Sequence, residues 1–244
     1  METLKTSQTG TTSSESANSA TMDTVPKRVP VWRSFVNSDP IPITPIVGLD
    51  AAFKRLMDFV IGGSALLVLL PFLALLSILI KLDSTGPALF CQQRRGRNRE
   101  IIKVYKFRTM YQDQSAAAFK QAEKNDPRIT RIGAIMRKTS LDELPQLFNV
   151  VQGSMSLVGP RPHPIPLDEK FKQVIPALNS RYAVKPGITG WAQINGFRGE
   201  TTRIDDMVGR IEHDRHYIKH WTLWLDLKII VKTAFKGWTH TNAY

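Results

Sequence analysis

Residues 59–80, FVIGGSALLVLLPFLALLSILI, run for 22 positions without a charge. As a helix this stretch would be about 33 Å long, enough for a bilayer core of about 30 Å. Lys54 and Arg55 stand before it and Lys81 after it. Positive charge on both flanks does not orient a simple span. Pro71 lies near the middle, where it removes one backbone hydrogen bond and favours a bend. The residues alone leave two topologies open. One is an ordinary span. The other is a helix-break-helix hairpin, bent at Pro71, that leaves the membrane on the side it entered. A buried soluble helix fits poorly, because such helices seldom run this long without charge.

On either side the pattern changes. Residues 1–48 open with a Ser/Thr-rich stretch nearly free of large apolar side chains and continue into a Pro-studded segment; a disordered tail is expected. It does not begin as a secretory signal peptide does, with a charged start followed directly by an apolar run. After Asp83 no second apolar run of comparable length occurs. IIKVYKFRTM (101–110) has strand character, DPRITRIG (126–133) reads as a turn entering a helix, and LDELPQLFNVVQG (141–153) as a helix closed by Gly153. SLVGPRPHPIP is a Pro-locked loop, and KPGITGWAQING a Gly-rich loop with short extended pieces. From Ile204 to Trp238 the pattern is helical, with Lys228, Lys232 and Lys236 forming one stripe among Trp221, Leu225, Ile229, Ile230, Ala234, Phe235 and Trp238. Such a helix either lies on a membrane surface or packs on the domain's own core. The expected fold is α+β and mostly helical: a tail over 1–48, a membrane helix over 49–82 and a catalytic-type domain over 83–244.

Charge narrows the partners. The chain of 244 residues carries a formal net charge of +12, which implies an anionic partner. From Arg94 to Lys138 there are thirteen Lys or Arg against four acids, so most of the excess sits in one stretch. No helix-turn-helix or RNA-binding signature accompanies it, so nucleic acid is not the expected partner. Cys91 is the only cysteine; no internal disulfide forms, and a reducing compartment suits the chain.

The chemistry candidates centre on TSLDELPQ (139–146). Ser140 and Glu143 have the spacing of a capping box, and acids in a first turn complement the helix dipole. That reading explains the segment without any reaction. Its surroundings add a second reading. Arg128, Arg131, Arg137 and Lys138 precede the pair and Arg161 follows it. Carboxylates among arginines at a helix start suit phosphates with a metal between them. An Asp so placed could attack phosphorus.

TSLDELPQL, KFRTM, DPRITRIG, MSLVGPRPH and KPGITGWAQING together resemble the bacterial sugar transferases, the monotopic phosphoglycosyl transferases, over Phe53 to Tyr244. INGFRGET and WLDLKIIVKTAFKGW look most like the hexose-transferring branch, which includes the undecaprenyl-phosphate glucose-1-phosphate transferases of exopolysaccharide synthesis. Members of that branch often carry four further N-terminal spans, so this chain resembles the short, core-only form. The resemblance implies Asp142 as nucleophile and Mg²⁺ ligand, and Glu143 as its partner carboxylate. It implies Arg137 and Arg161 as phosphate holders, with Lys106, Arg108, Pro162 and His163 on the same surface. It implies a UDP-sugar and undecaprenyl phosphate as substrates, with UMP released. It also implies a bacterial inner membrane location with the domain facing the cytoplasm. The family's re-entrant membrane helix with a central Pro favours the hairpin, although Leu70 stands where many members have Ser. Glucose, galactose and N-acetylhexosamines are all open as the sugar, and a homodimer is open as the assembly.

Other features read more plainly. His213, His216 and His220 share one helix face but suit a polar surface better than a metal. Trp191 is the tryptophan placed nearest the expected site, and Gly187 and Gly190 are expected to serve turns. A non-catalytic, membrane-tethered basic binding protein is the rival class.

Overall fold

The computed structural model describes residues 46–111, 126–199 and 203–236. Most of the tail, Trp238 and the Lys236 side chain therefore lie outside the described residues. The order is α1 (Gly48–Asp83), β1 (Leu89–Arg95), β2 (Ile101–Phe107), α2 (Arg131–Thr139), α3 (Gln146–Gln152), β3 (Ser156–Val158), α4 (Ile165–Lys172), β4 (Gly187–Thr189), α5 (Trp191–Ile194), α6 (Ile204–Lys219) and α7 (Leu223–Lys236). Short 3₁₀ turns occupy Arg97–Arg99, Leu141–Glu143 and Pro176–Ala183.

Helix α1 runs 36 residues with Pro71 inside it, about 54 Å at 1.5 Å per residue. The backbone stays helical through Pro71, so the expected break is not confirmed there; one missing N–H costs a single ladder bond and the flanking leucines sustain the rest. Leu67, Val68, Leu70, Leu75, Ile78 and Leu82 are largely exposed. By length and composition this helix is long and apolar enough to cross a membrane.

Both ends of α1 dock on the same domain. Near its start, Lys54 Nζ donates to Asp226 Oδ2 at 2.6 Å and to the Val158 carbonyl at 3.0 Å. Arg55 donates to the Val150 and Val151 carbonyls, at 2.6 and 2.7 Å, where α3 ends at Gly153. Asp58 accepts from Ser156 Oγ and the Leu157 amide. At the far end, Asp83 accepts from the Ile132 amide at the start of α2. Arg108 donates to the carbonyls of Ser84 and Thr85. Between them Leu73, Leu76 and Ile80 bury against Ala88, Phe107 and Met136.

Two small sheets form: β2 and β4 fall in segments expected to be extended, whereas β1 was not anticipated and β3 lies at the start of the segment expected to be a Pro-locked loop. β1 and β2 pair antiparallel from Leu89 opposite Phe107 to Arg95 opposite Ile101, around a turn where Asn98 and Arg99 take positive φ. β3 and β4 pair parallel, Ser156 opposite Gly187 and Val158 opposite Thr189. Gly187 and Gly190 do not serve turns as expected; they permit backbone contact. A Cβ on Gly187 would meet the Gly159 amide at 2.1 Å, and one on Gly190 the Gly159 carbonyl at 2.3 Å. The loop after β3 and the Gly-rich segment are thereby fastened together.

The C-terminal helical pattern is two helices. Thr222 Oγ1 accepts from the Leu225 amide and starts α7. Val158, Ile194, Tyr217 and Ile229 bury together between β3, α5, α6 and α7, with Trp191, Trp221, Leu225 and Ile230 packed around them. Trp224, Val231 and Phe235 stay exposed. Helix α7 thus packs one face on the domain's own core.

Candidate active site

The site lies where β2, the turn after α2 and the loop after β3 meet. Thr130 caps α2, its Oγ1 accepting from the Gly133 amide at 3.0 Å. The helix ends at Ser140 in the left-handed region, φ 61° and ψ 18°. This is an uncommon state for a non-glycine residue. It turns the chain sharply into Leu141–Glu143. The expected capping box is not formed. Ser140 ends one helix instead of capping the next, its hydroxyl accepts from Arg198 Nη2 at 2.6 Å, and α3 begins only after Pro145. Glu143 is therefore released for tertiary partners.

Those partners are cationic. Arg161 donates to both oxygens of Glu143, through Nη1 at 2.9 Å and through Nη2 in a shorter contact. Lys106, from β2, reaches Glu143 Oε1 at 2.6 Å and lies 3.9 Å from Asp142 Oδ2. Among the described residues no hydrogen bond to Asp142 occurs, so its carboxylate is the one left open in the pair. Burial opposes ionisation of Glu143, but Arg161 and Lys106 outweigh it and hold its carboxyl well below the ordinary range. Burial pushes Asp142 up from 3.8; Lys106 opposes this and the neighbouring Glu143 adds to it. Adjacent carboxylates are thus driven apart by their surroundings, the arrangement expected where two acids take different tasks.

A second layer supports Arg161. The Arg161 carbonyl accepts from Arg181 at 2.6 Å, and Arg181 also pairs with Asp214 Oδ2 at 2.9 Å. Arg94 donates to the Pro162 carbonyl at 2.5 Å, and burial lowers its guanidinium to about 9, with Arg161 nearby adding to the effect. His163 is buried among Arg181 and Arg210. Burial and these arginines push its imidazole well below 6.5, so it stays neutral.

The structure brings Asp142, Glu143, Lys106 and Arg161 together. Arg137, in the last turn of α2, stabilises the ionised form of Asp142. Pro162 and His163 lie beneath the site, in the supporting layer. Arg108 departs from expectation: its guanidinium is turned to the Ser84 and Thr85 carbonyls, so it clamps the end of α1 and does not face the carboxylates. Trp191 departs too, packing with the core and against His216 at 5.6 Å between centroids. Of the three histidines, His213 and His220 bond helix carbonyls, and His216 stacks on its neighbours. Arg94 and Arg198 were not foreseen. The signal for Arg198 was its place between two glycines in INGFRGET. Asp142 also fits a Mg²⁺ ligand, being an open, partly exposed carboxylate beside groups suited to phosphate oxygens.

Fold and site together define an α+β domain with one helix long and apolar enough to cross a membrane and a carboxylate pair set against Lys106 and Arg161. The chain belongs to the bacterial sugar transferase family, whose profile matches residues 49–240. It is 46% identical over 205 residues to the UDP-glucose:undecaprenyl-phosphate glucose-1-phosphate transferase of Escherichia coli (strain K12), covering 84% of this chain and 44% of that protein. It is 46% identical over 200 residues to the exopolysaccharide production protein PSS of Rhizobium leguminosarum bv. phaseoli, covering 80% of this chain and 100% of that protein. It is 42% identical over 183 residues to the UDP-N-acetylgalactosamine-undecaprenyl-phosphate N-acetylgalactosaminephosphotransferase of Aeromonas hydrophila, covering 75% of this chain and 43% of that protein. The chain spans less than half the length of the first and third of these relatives.

Proposed function

We propose that the protein transfers glucose-1-phosphate from UDP-glucose to undecaprenyl phosphate, initiating exopolysaccharide synthesis at the bacterial inner membrane. The observation that carries this reading is the division within the carboxylate pair: Glu143 is saturated by Arg161 and Lys106, while Asp142 beside it accepts no hydrogen bond among the described residues. In the proposed reaction an Asp142 oxygen attacks the phosphorus that bears the sugar. The bond to UMP breaks and UMP leaves with the electron pair. A phosphate oxygen of undecaprenyl phosphate then attacks the same phosphorus and expels the carboxylate, giving the diphosphate-linked sugar. Lys106, Arg137 and Arg161 supply positive charge where phosphate charge moves. Arg161 and Lys106 also hold Glu143 against the nucleophile, which fixes the geometry of the turn. Mg²⁺, with Asp142 and the diphosphate oxygens as ligands, would neutralise the leaving phosphate.

The sugar is assigned on the relatives named for UDP-glucose. A UDP-N-acetylhexosamine is the second reading, on the Aeromonas relative. A panel of UDP-sugars assayed with undecaprenyl phosphate for UMP release separates them. UMP release from none of the sugars would leave the binding-protein reading and remove this one.

The membrane arrangement is proposed to be monotopic, with the domain on the cytoplasmic side. Its support is that Lys54 and Asp83, near opposite ends of α1, bond to one domain. A helix spanning the bilayer would place its ends on opposite sides. In a Cys91→Ser background, Asp50→Cys and Thr85→Cys should both be labelled from the cytoplasmic side; labelling from opposite sides would establish a span.

A further inference from the structure

A second cationic site lies away from the carboxylates, at the end of α3 opposite Asp142. A cavity there is lined by Ile46, Ala51, Lys54, Arg55, Asp58, Arg97, Val184 and Lys185. Its charges divide into two groups. Lys54 is neutralised by Asp226, Asp58 is held by Ser156 and the Leu157 amide, and Arg55 is spent on two carbonyls. Arg97 and Lys185 have no such task. No hydrogen bond or ion pair to either side chain occurs among the described residues, and Arg97 Nε is buried without a partner. Counting Arg55, Arg97 and Lys185 against Asp58, the lining carries a net +2 once Lys54 is paired with Asp226. Burial, with Arg55 and Arg97 nearby, lowers the Lys185 ammonium from its ordinary 10.5. Cations gathered in a recess repel one another, and a bound anion converts that repulsion into attraction.

We propose that Arg97 and Lys185 form a phosphate-binding site distinct from the active site. A phosphate group matches both the net charge and the Arg fork. Ile46, Ala51 and Val184 give the recess an apolar side, and the same two turns of α1 expose Leu49, Phe53 and Leu56. Phosphate there can be carried by an anionic phospholipid whose chains lie along α1, or come free from solution. The lipid source rests on the membrane placement proposed above; the phosphate chemistry does not.

The test uses the full chain in two arms. In the first, the protein is placed in phosphatidylcholine nanodiscs with increasing phosphatidylglycerol, and retained lipid is read by native mass spectrometry. In the second, inorganic phosphate is titrated calorimetrically in a neutral detergent. Lys185→Gln should weaken binding about fivefold, and Arg97→Gln with Lys185→Gln about thirtyfold. Arg97→Lys with Lys185→Arg should restore it. Arg161→Gln should leave this binding in place, which separates it from the active site. Thermal unfolding of each variant reports whether the chain is folded. Dependence on Arg97 and Lys185 in the phosphatidylglycerol arm alone assigns a lipid headgroup; the same dependence in the phosphate arm assigns a soluble source. Binding in neither arm, or binding equal in wild type and the double Gln variant, overturns the proposal. None of these readouts requires sugar transfer, so the two readings fail separately.

Discussion

Arg161 forks onto both carboxylate oxygens of Glu143, tying the loop after β3 to the turn after α2. With Lys106 on the same carboxylate, three chain segments meet at one acid. The adjacent Asp142 is left open. The assignment of roles follows from that asymmetry and can be tested at each member.

Asp142→Asn keeps the shape of the side chain and removes its charge. The expected loss of UMP release is on the order of 10⁴-fold or more, as for the removal of a nucleophile. With UDP-glucose labelled in its sugar-bearing phosphate, wild type should form a labelled protein and the variant should not. Retained turnover in a folded Asn variant would remove the nucleophile assignment.

Glu143→Gln removes one negative charge beside Asp142 and frees Lys106 and Arg161. All three changes favour the Asp142 carboxylate, so the acid limb of the rate profile should move to lower pH. The limb in wild type should lie above the ordinary 3.8, because burial raises Asp142. The rate at neutral pH should fall by about 10²-fold through lost positioning. Stability changes in parallel. Glu143 titrates well below its unfolded 4.5, so its pairing contributes stability above about pH 4.5 that is lost as pH falls through the folded value. A pH series of thermal unfolding on both proteins checks this.

Arg198 supports the left-handed Ser140 through one charge-assisted hydrogen bond. Arg198→Ala should reduce kcat/KM by about 10- to 100-fold, the range for a lost bond of this kind. Ser140→Gly relieves the backbone strain and removes the hydroxyl, so Arg198→Ala should cost much less in that background. A double-mutant cycle on turnover measures the coupling.

Lys54 and Asp226 are both buried. Lys54→Met leaves an uncompensated carboxylate and should destabilise the protein by about 3–5 kcal/mol. Adding Asp226→Asn should recover most of that loss. Thermal unfolding in detergent provides the measurement, and equal stability of the two variants would show that the pair does not anchor α1.

Much of the domain was legible because its signals are local. The uncharged run from Phe59 to Ile80, the turn into a helix at DPRITRIG, Gly153 as a helix end and the strand at Ile101–Phe107 each follow from neighbouring residues. The capping box at Ser140 misled for the same reason. Its spacing satisfied a local rule, but Arg161 and Lys106 compete for Glu143 across 18 and 37 residues, and charged partners outbid a lone amide. Arg108 misled likewise, since only the packed end of α1 shows where its guanidinium is spent.

What the sequence determined by itself was an inventory: one apolar helix, a basic stretch, a carboxylate pair and Gly/Pro-rich motifs, all set by periodicity and near-neighbour chemistry. Tertiary structure decided how these groups were used. It joined Lys54 to Asp226 across 172 residues and Arg198 to Ser140 across 58. It returned both ends of α1 to one domain, and it chose which of two adjacent acids would be saturated. Such decisions rest on ion pairs whose strength depends on burial and distance. Neither quantity exists until the chain is packed.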